Sequence, residues 1–376
     1  MKRPALAFVA LFLAVALVSW APAATASTHP DLDARDASSL TVPGDNFFPE
    51  SIAATPAGTL FVGSVVTGEI LRFRTGSTTA ETFVPAGVNA GTAGVLVDAR
   101  RGVLWACAVD LNFQTPTALR AFDLRTGTLR ANYEVPDRGV CADIAVAHGD
   151  VYITDTTDPT AATQLPGRIL RLTTPRPTQA DGGMLTVWSA DPLFTRPLQS
   201  SGIPVQINGI AFDGISTLYT TNLNTGELLR VPIRLDGSAA AASVIDLDRD
   251  LVVPDGIRML DPARLLIVEG VGRLTLVNVH TGTTAVVAES LDQPTSVVPA
   301  RGSLWVSEGQ VLRLFGGQPP NLPFKVRRLA APTLPRQPST SWPEANDPSE
   351  WDSAAFRAHV DLQQPSAEVN GPALSL

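Results

Sequence analysis

Four oxygen-bearing residues stand at comparable points along the chain, each just before a short apolar run. Glu50 precedes Ser51-Ile52-Ala53-Ala54, Asp143 precedes Ile144, Asn208 precedes Gly209-Ile210-Ala211-Phe212, and Asp255 precedes Gly256-Ile257. Carboxylates and a carboxamide are hard donors, and brought together they form a ligand set for Ca²⁺, Mg²⁺ or Mn²⁺. Without a cation such carboxylates repel one another. A second series, Ser64, Asp110, Asp155, Asn222, Glu269 and Glu308, ends apolar runs instead of starting them. Residues of that second kind suit hydrogen bonds to exposed backbone of a neighbouring element, and Asp155, Asn222, Glu269 and Glu308 are read that way. Glu50, Asn208 and Asp255 are read as metal ligands, with Asp143 open between the two roles.

Other chemistries lack their reagents. Only four histidines occur, at positions 29, 148, 280 and 359, and only two lysines, Lys2 and Lys325. The sequence contains no Gly-x-Ser-x-Gly elbow, phosphate-binding glycine loop, Cys-x-x-Cys or His-Glu-x-x-His, so serine-nucleophile and classical zinc mechanisms have no local signature.

Composition narrows the setting. The 376 residues are 44% hydrophobic and 17% charged, too apolar for a disordered chain and enough for a large core. Met1-Lys2-Arg3 precedes an apolar run from Ala5 to Val18 and the small residues Ala24-Thr25-Ala26, the pattern of a secretory signal peptide over residues 1–26. The run falls short of the ~20 residues that span a bilayer, so the expectation is a secreted or periplasmic protein with no integral membrane segment. Removing Lys2 and Arg3 takes the formal charge from −8 to −10, which disfavours nucleic acid as a partner.

The elements that must position the acidic residues come from a repeat. An apolar strand, a tight turn, a second hydrophobic strand and then a segment close to Gly-x-Leu-x-Arg recur six times. In the first copy Glu50–Ala54 leads to Leu60–Gly63, Ile70–Phe73 and Glu81–Val84. The anchors Ile52, Val95, Ile144, Ile210, Ile257 and Val297 are separated by 43, 49, 66, 47 and 40 residues, the period of four-stranded antiparallel blades set radially. The fold expected is all-β, a six-bladed β-propeller over residues 43–330, after an N-terminal segment 27–42 and before a Pro/Ser-rich acidic tail 331–376. The gap of 66 residues holds a Pro- and Gly-rich stretch from Thr173 to Pro204, read as a long loop. In the sixth copy Val311–Leu314 is read as the third strand and Phe324–Leu329 as the outer one, with Leu40–Val42 as an additional candidate to close the ring. A linear stack of hairpins is the alternative; it lacks capping units at the ends.

Blade geometry sorts residues by face. Starts of inner strands and ends of second strands share one mouth of the central channel, which gathers Glu50, Asp143, Asn208 and Asp255. His148 and His280 fall in turns on the opposite side, which removes a histidine base. Cys107 and Cys141 lie in adjacent blades; they form either a disulfide, which export permits, or two small buried thiols.

The segments Pro49-Glu50-Ser51-Ile52, Asn208-Gly209-Ile210-Ala211-Phe212-Asp213-Gly214 with Leu218-Tyr219, and Pro254-Asp255-Gly256-Ile257 resemble the senescence marker protein, gluconolactonase and luciferin-regenerating enzyme family. These are calcium-dependent phosphotriesterase-like six-bladed propellers related to the paraoxonases, and the resemblance spans about Pro43 to Leu329. It implies one divalent cation, Ca²⁺ first and Mg²⁺, Mn²⁺ or Zn²⁺ as alternatives, held by Glu50, Asn208 and Asp255. It also implies hydrolysis of a small lactone or ester by a monomer, with Asp255, or Asp143 beside it, as the base. Where a paraoxonase-like site places a further Asn, this chain has Cys141-Ala142-Asp143, and Asn222 stands where the family commonly has Asp. Two other readings remain: a non-catalytic secreted propeller that serves as a binding module, and a metal-independent enzyme similar to strictosidine synthase.

Overall fold

Apolar runs of this length cannot bury themselves as helices, and the turn residues between them enforce sharp reversals, so the chain folds as short antiparallel strands. The structure is a computed structural model that describes residues 39–156, 166–173, 183–195 and 206–332. The chain divides into two units, 1–331 and 332–376; the described architecture belongs to the first. The signal peptide assigned to residues 1–26 lies outside the described residues, as does the tail beyond Pro332. No helix among the described residues is long and apolar enough to cross a membrane.

The described residues form six four-stranded antiparallel sheets, the blades of a six-bladed propeller. Their inner strands are Pro49–Ala54, Gly91–Asp98, Val140–Ala147, Ile207–Phe212, Pro254–Asp261 and Pro294–Ala300, numbered here as blades 1 to 6. The six anchors Ile52, Val95, Ile144, Ile210, Ile257 and Val297 are each 1% exposed or less. Each contributes on the order of 1.5–3 kcal/mol by leaving water, and together they weld neighbouring blades around the channel.

Three strand assignments differ from the sequence reading. Val311–Phe315 is a short helix, not a strand; a short apolar segment interrupted by Arg313 fits either period, and here it sits in a connection between two strands. Phe324–Ala330 takes the third position of blade 6 instead of the outer one, which goes to Ser39–Val42, the segment whose Leu40–Val42 the sequence offered as a candidate to close the ring. Leu40 pairs with Val326 and Val42 with Phe324, and these four side chains are buried while Ser39 and Thr41 face out. The two ends of the ring thus close on each other by hydrogen bonds. The stretch 173–204 is not all loop: Met184–Ser189 is the outer strand of blade 3.

Candidate functional site

Every inner strand loses its register with the second strand near its start. The irregularity falls between Pro49 and Ser51, Thr92 and Val95, Cys141 and Ile144, Ile207 and Ile210, Pro254 and Ile257, and Pro294 and Ser296. The residues skipped are Glu50, Ala93-Gly94, Ala142-Asp143, Asn208-Gly209, Asp255-Gly256 and Thr295. A bulge bends the strand and re-aims the side chain it releases, and here all six release toward one point. A small cavity of about 10 Å³ at that point is lined by Glu50, Asp143, Asn208 and Asp255, with small residues such as Gly94 and Gly256 between them.

The Asn-Gly and Asp-Gly pairs have a packing reason. A Cβ on Gly209 would lie 2.4 Å from the Asp255 carbonyl, and one on Gly256 would lie 2.6 Å from that of Thr295. The glycine after each acidic or amide residue therefore lets the next blade's inner strand close in on the channel. Hydroxyls lock that approach. Thr154 Oγ1, on the second strand of blade 3, donates to the Asn208 carbonyl at 2.5 Å, and Thr221 Oγ1, on the second strand of blade 4, donates to the Asp255 carbonyl at 3.0 Å. Sequence reasoning missed both threonines; their only signal is their place one residue before Asp155 and Asn222.

The site carries excess negative charge. Asn208 Nδ2 donates to Asp255 Oδ1 at 2.6 Å, which leaves the amide oxygen of Asn208 for a ligand. Burial, then the neighbouring Asp143, pushes the Asp255 carboxyl up to about 8 against the pull of Asn208. Burial and the charges of Asp255 and Asp143 likewise raise Glu50 well above the ordinary carboxylate range, with Arg258 opposing them. Among the described residues no side chain donates to the Glu50 carboxylate. Asp143 differs: Arg258 Nη1 and Nη2 grip its two oxygens at 2.7 and 3.1 Å, and the Ile210 N–H adds a bond of 3.1 Å. Arg258 is the functional residue that sequence reasoning overlooked, although it stands only three positions after Asp255.

With all three carboxylates ionised, the single guanidinium leaves two negative charges uncompensated, which a hard divalent cation would match in charge and ligand preference. Among the described residues no three Asp, Glu, His or Cys side chains are placed to hold a metal by themselves, so a cation here would need the amide oxygen of Asn208 beside the carboxylates. Glu50, Asn208 and Asp255 fit that role, while Asp143 is engaged by Arg258 and the Ile210 N–H.

The second series of polar residues reaches the same face, where its acids are paired or hydrogen-bonded, while the Nδ2 of Asn222 is buried without a partner. Asp155 pairs with Arg168 at 2.7 Å, Glu269 with Arg249 at 2.6 Å and Glu308 with Arg327 at 2.8 Å. Asn222 accepts from the Asn224 and Thr225 N–H groups, and Asp110 from those of Asn112, Gln114 and Thr115. Cys107 and Cys141 form a disulfide with Cα atoms 5.3 Å apart, tying the second strand of blade 2 to the inner strand of blade 3 two residues from Asp143.

No protein-family model matches the chain, and no curated protein is similar to it in sequence. Solved structures are similar in fold. A gluconolactonase from Xanthomonas campestris is 20% identical with a TM-score of 0.57, over 81% of this chain and 94% of that one. Regucalcin, a calcium-binding protein from Agrobacterium tumefaciens, is 17% identical with a TM-score of 0.54, over 77% and 92%. A luciferin-regenerating enzyme is 10% identical with a TM-score of 0.55, over 78% and 95%. The chain thus has the six-bladed propeller fold that gluconolactonase, regucalcin and luciferin-regenerating enzyme share.

Proposed function

We propose that this chain hydrolyses a small lactone or ester at the acidic mouth of its channel, and does so as a divalent-cation-dependent enzyme. The observation that carries the reading is the convergence of Glu50, Asn208 and Asp255 on one cavity with two negative charges in excess. The fold likeness to a gluconolactonase supports a lactone substrate, and that to a calcium-binding regucalcin supports the cation. A divalent cation held by Glu50, Asn208 and Asp255 would supply Lewis-acid polarisation of the scissile carbonyl.

The chain's own groups define the rest. The cavity holds only about 10 Å³ of water-accessible space, room for about one ion or water, so the substrate stays at the mouth with its carbonyl toward the acids. Asp255 Oδ1 is held by Asn208, which leaves Oδ2 to take a proton from the attacking water. Water oxygen bonds to the carbonyl carbon, the ring or ester C–O bond breaks, and Asp255 returns the proton to the leaving alkoxide. Asp143 is not the base in this scheme, because Arg258 and the Ile210 amide occupy its oxygens.

The test is a panel of γ- and δ-lactones and aryl esters, assayed on the purified protein with and without EDTA. Hydrolysis that EDTA removes and Ca²⁺ restores is the expected result. Full activity in EDTA would remove the cation from the mechanism, and cation binding without any turnover would make the protein a binding propeller. The reading also has the chain exported with loss of residues 1–26, which the Cys107–Cys141 disulfide supports because such bonds persist in oxidising compartments. Mature protein whose first residue is Ser27 is the expected outcome of N-terminal sequencing.

A further inference from the structure

Arg258 does more than face Asp143. It is 9% exposed, and its guanidinium gathers oxygens from four of the six blades. Nη1 donates to Asp143 Oδ2 in blade 3 at 2.7 Å, to the Ile257 carbonyl of its own blade 5 at 2.7 Å and to the Ile210 carbonyl of blade 4 at 3.5 Å. Nη2 donates to Asp143 Oδ1 at 3.1 Å and to the Val95 carbonyl of blade 2 at 3.4 Å. A carboxylate and three backbone carbonyls turned toward one centre resemble an oxygen cage for a metal ion. Here the cage is filled by a side chain that neither dissociates nor loses its proton.

We propose that Arg258 is a built-in cation of the channel: it holds Asp143 and the inner strands of blades 2 to 5 together beside the site, and it limits the donors Glu50, Asn208 and Asp255 to one divalent cation at reduced affinity. The inference rests on the cation reading of that site. With Arg258 present, Glu50, Asp143 and Asp255 carry two uncompensated charges, and one divalent ion closes the balance. Without it three charges face the ion and Asp143 is released, so attraction for the ion rises. An arginine that merely packed the channel would behave oppositely, since its loss would loosen the inner strands and weaken ion binding.

The experiment is calorimetric titration with Ca²⁺, after dialysis against chelator, of the wild type, Arg258→Met, Arg258→Lys, Asp143→Asn and the double variant Asp143→Asn/Arg258→Met, with thermal melts in EDTA alongside. One Ca²⁺ per wild-type chain is expected. Arg258→Met should bind at least about tenfold more tightly, while Arg258→Lys, which keeps the charge, should stay within about threefold of wild type. Asp143→Asn alone should bind at least about tenfold more weakly, and adding Arg258→Met should restore wild-type affinity because the charge balance returns. That last pair carries the test if Arg258→Met by itself does not fold. Wild-type protein that takes up no Ca²⁺ overturns the cation reading and this inference with it. Wild-type uptake of one Ca²⁺ with no gain in affinity on loss of Arg258, in either background, overturns this inference alone.

Discussion

Two sets of buried acids sit on the same face of this propeller and differ in one respect. Glu269, at the end of a second strand, is fully buried, yet Arg249, Thr275 and the Val252 N–H outweigh its burial and hold its carboxyl below the ordinary range. Asp255, at the start of an inner strand, is also buried, at 6% exposed, but has one amide donor and an acidic neighbour, and its carboxyl rises to about 8. Burial therefore does not distinguish a site from a strut. Charge left without a partner does, because a fold that was free to neutralise it has instead gathered it at an accessible point.

The comparison breaks first at turnover. Glu50→Gln or Asp255→Ala should lower kcat/KM by at least about 10³-fold and abolish Ca²⁺ uptake with the fold retained, as read by lactone hydrolysis, calorimetry and circular dichroism. Arg249→Met should do the reverse. It leaves Glu269 to Thr275, the Val252 N–H and Arg273 and should cost about 1–3 kcal/mol of stability, while kcat/KM of the folded protein stays within about twofold of wild type. Loss of activity in Arg249→Met at temperatures where it is folded would erase the distinction between the two sets.

Titration sharpens it. Because Asp255 and Glu50 are raised in the folded state, the cation-free protein holds more protons than the unfolded chain between their ordinary and raised values. The stabilising effect of Asp255 is complete below about pH 4 and is lost as pH climbs through about 8, and Glu50 acts in the same direction, so from these two groups stability falls with rising pH. Melts in EDTA should show Tm decreasing by about 5 °C between pH 5 and pH 8, and Ca²⁺ or Asp255→Asn should flatten the slope. Glu269 has the opposite sign: its lowered carboxyl contributes stability above its unfolded value and loses it only as pH falls.

The smallest effect concerns the hydroxyl latches. Thr221→Val removes a donor to the Asp255 carbonyl and should cost about 1–2 kcal/mol, seen in denaturant unfolding. Its Ca²⁺ affinity should drop by only a fewfold, since the ligand atoms themselves remain.

Much of this was legible along the chain. Isoleucine and valine anchors at intervals of 40 to 66 residues announce six blades, because each blade must bury the same small face against its neighbour. Glu50, Asn208 and Asp255 were legible as a set because each precedes an anchor by two residues. Blade 6 was misread where local pattern is weakest: Val311–Leu314 satisfies a strand and a helical turn equally, and the partner that decides, Ser39–Val42, lies at the far end of the described chain. Arg258 was missed because an arginine in an inner strand has no local signature; its meaning comes from Asp143, 115 residues earlier.

The amino-acid order alone determined the period, the strands and the identity of the acids that begin them, since these depend on side-chain pattern within a few residues. Only the closed ring decided which acids share a cavity, which are cancelled by arginine, and that Cys107 meets Cys141. Electrostatic balance is a sum over neighbours in space, and those neighbours come from different blades.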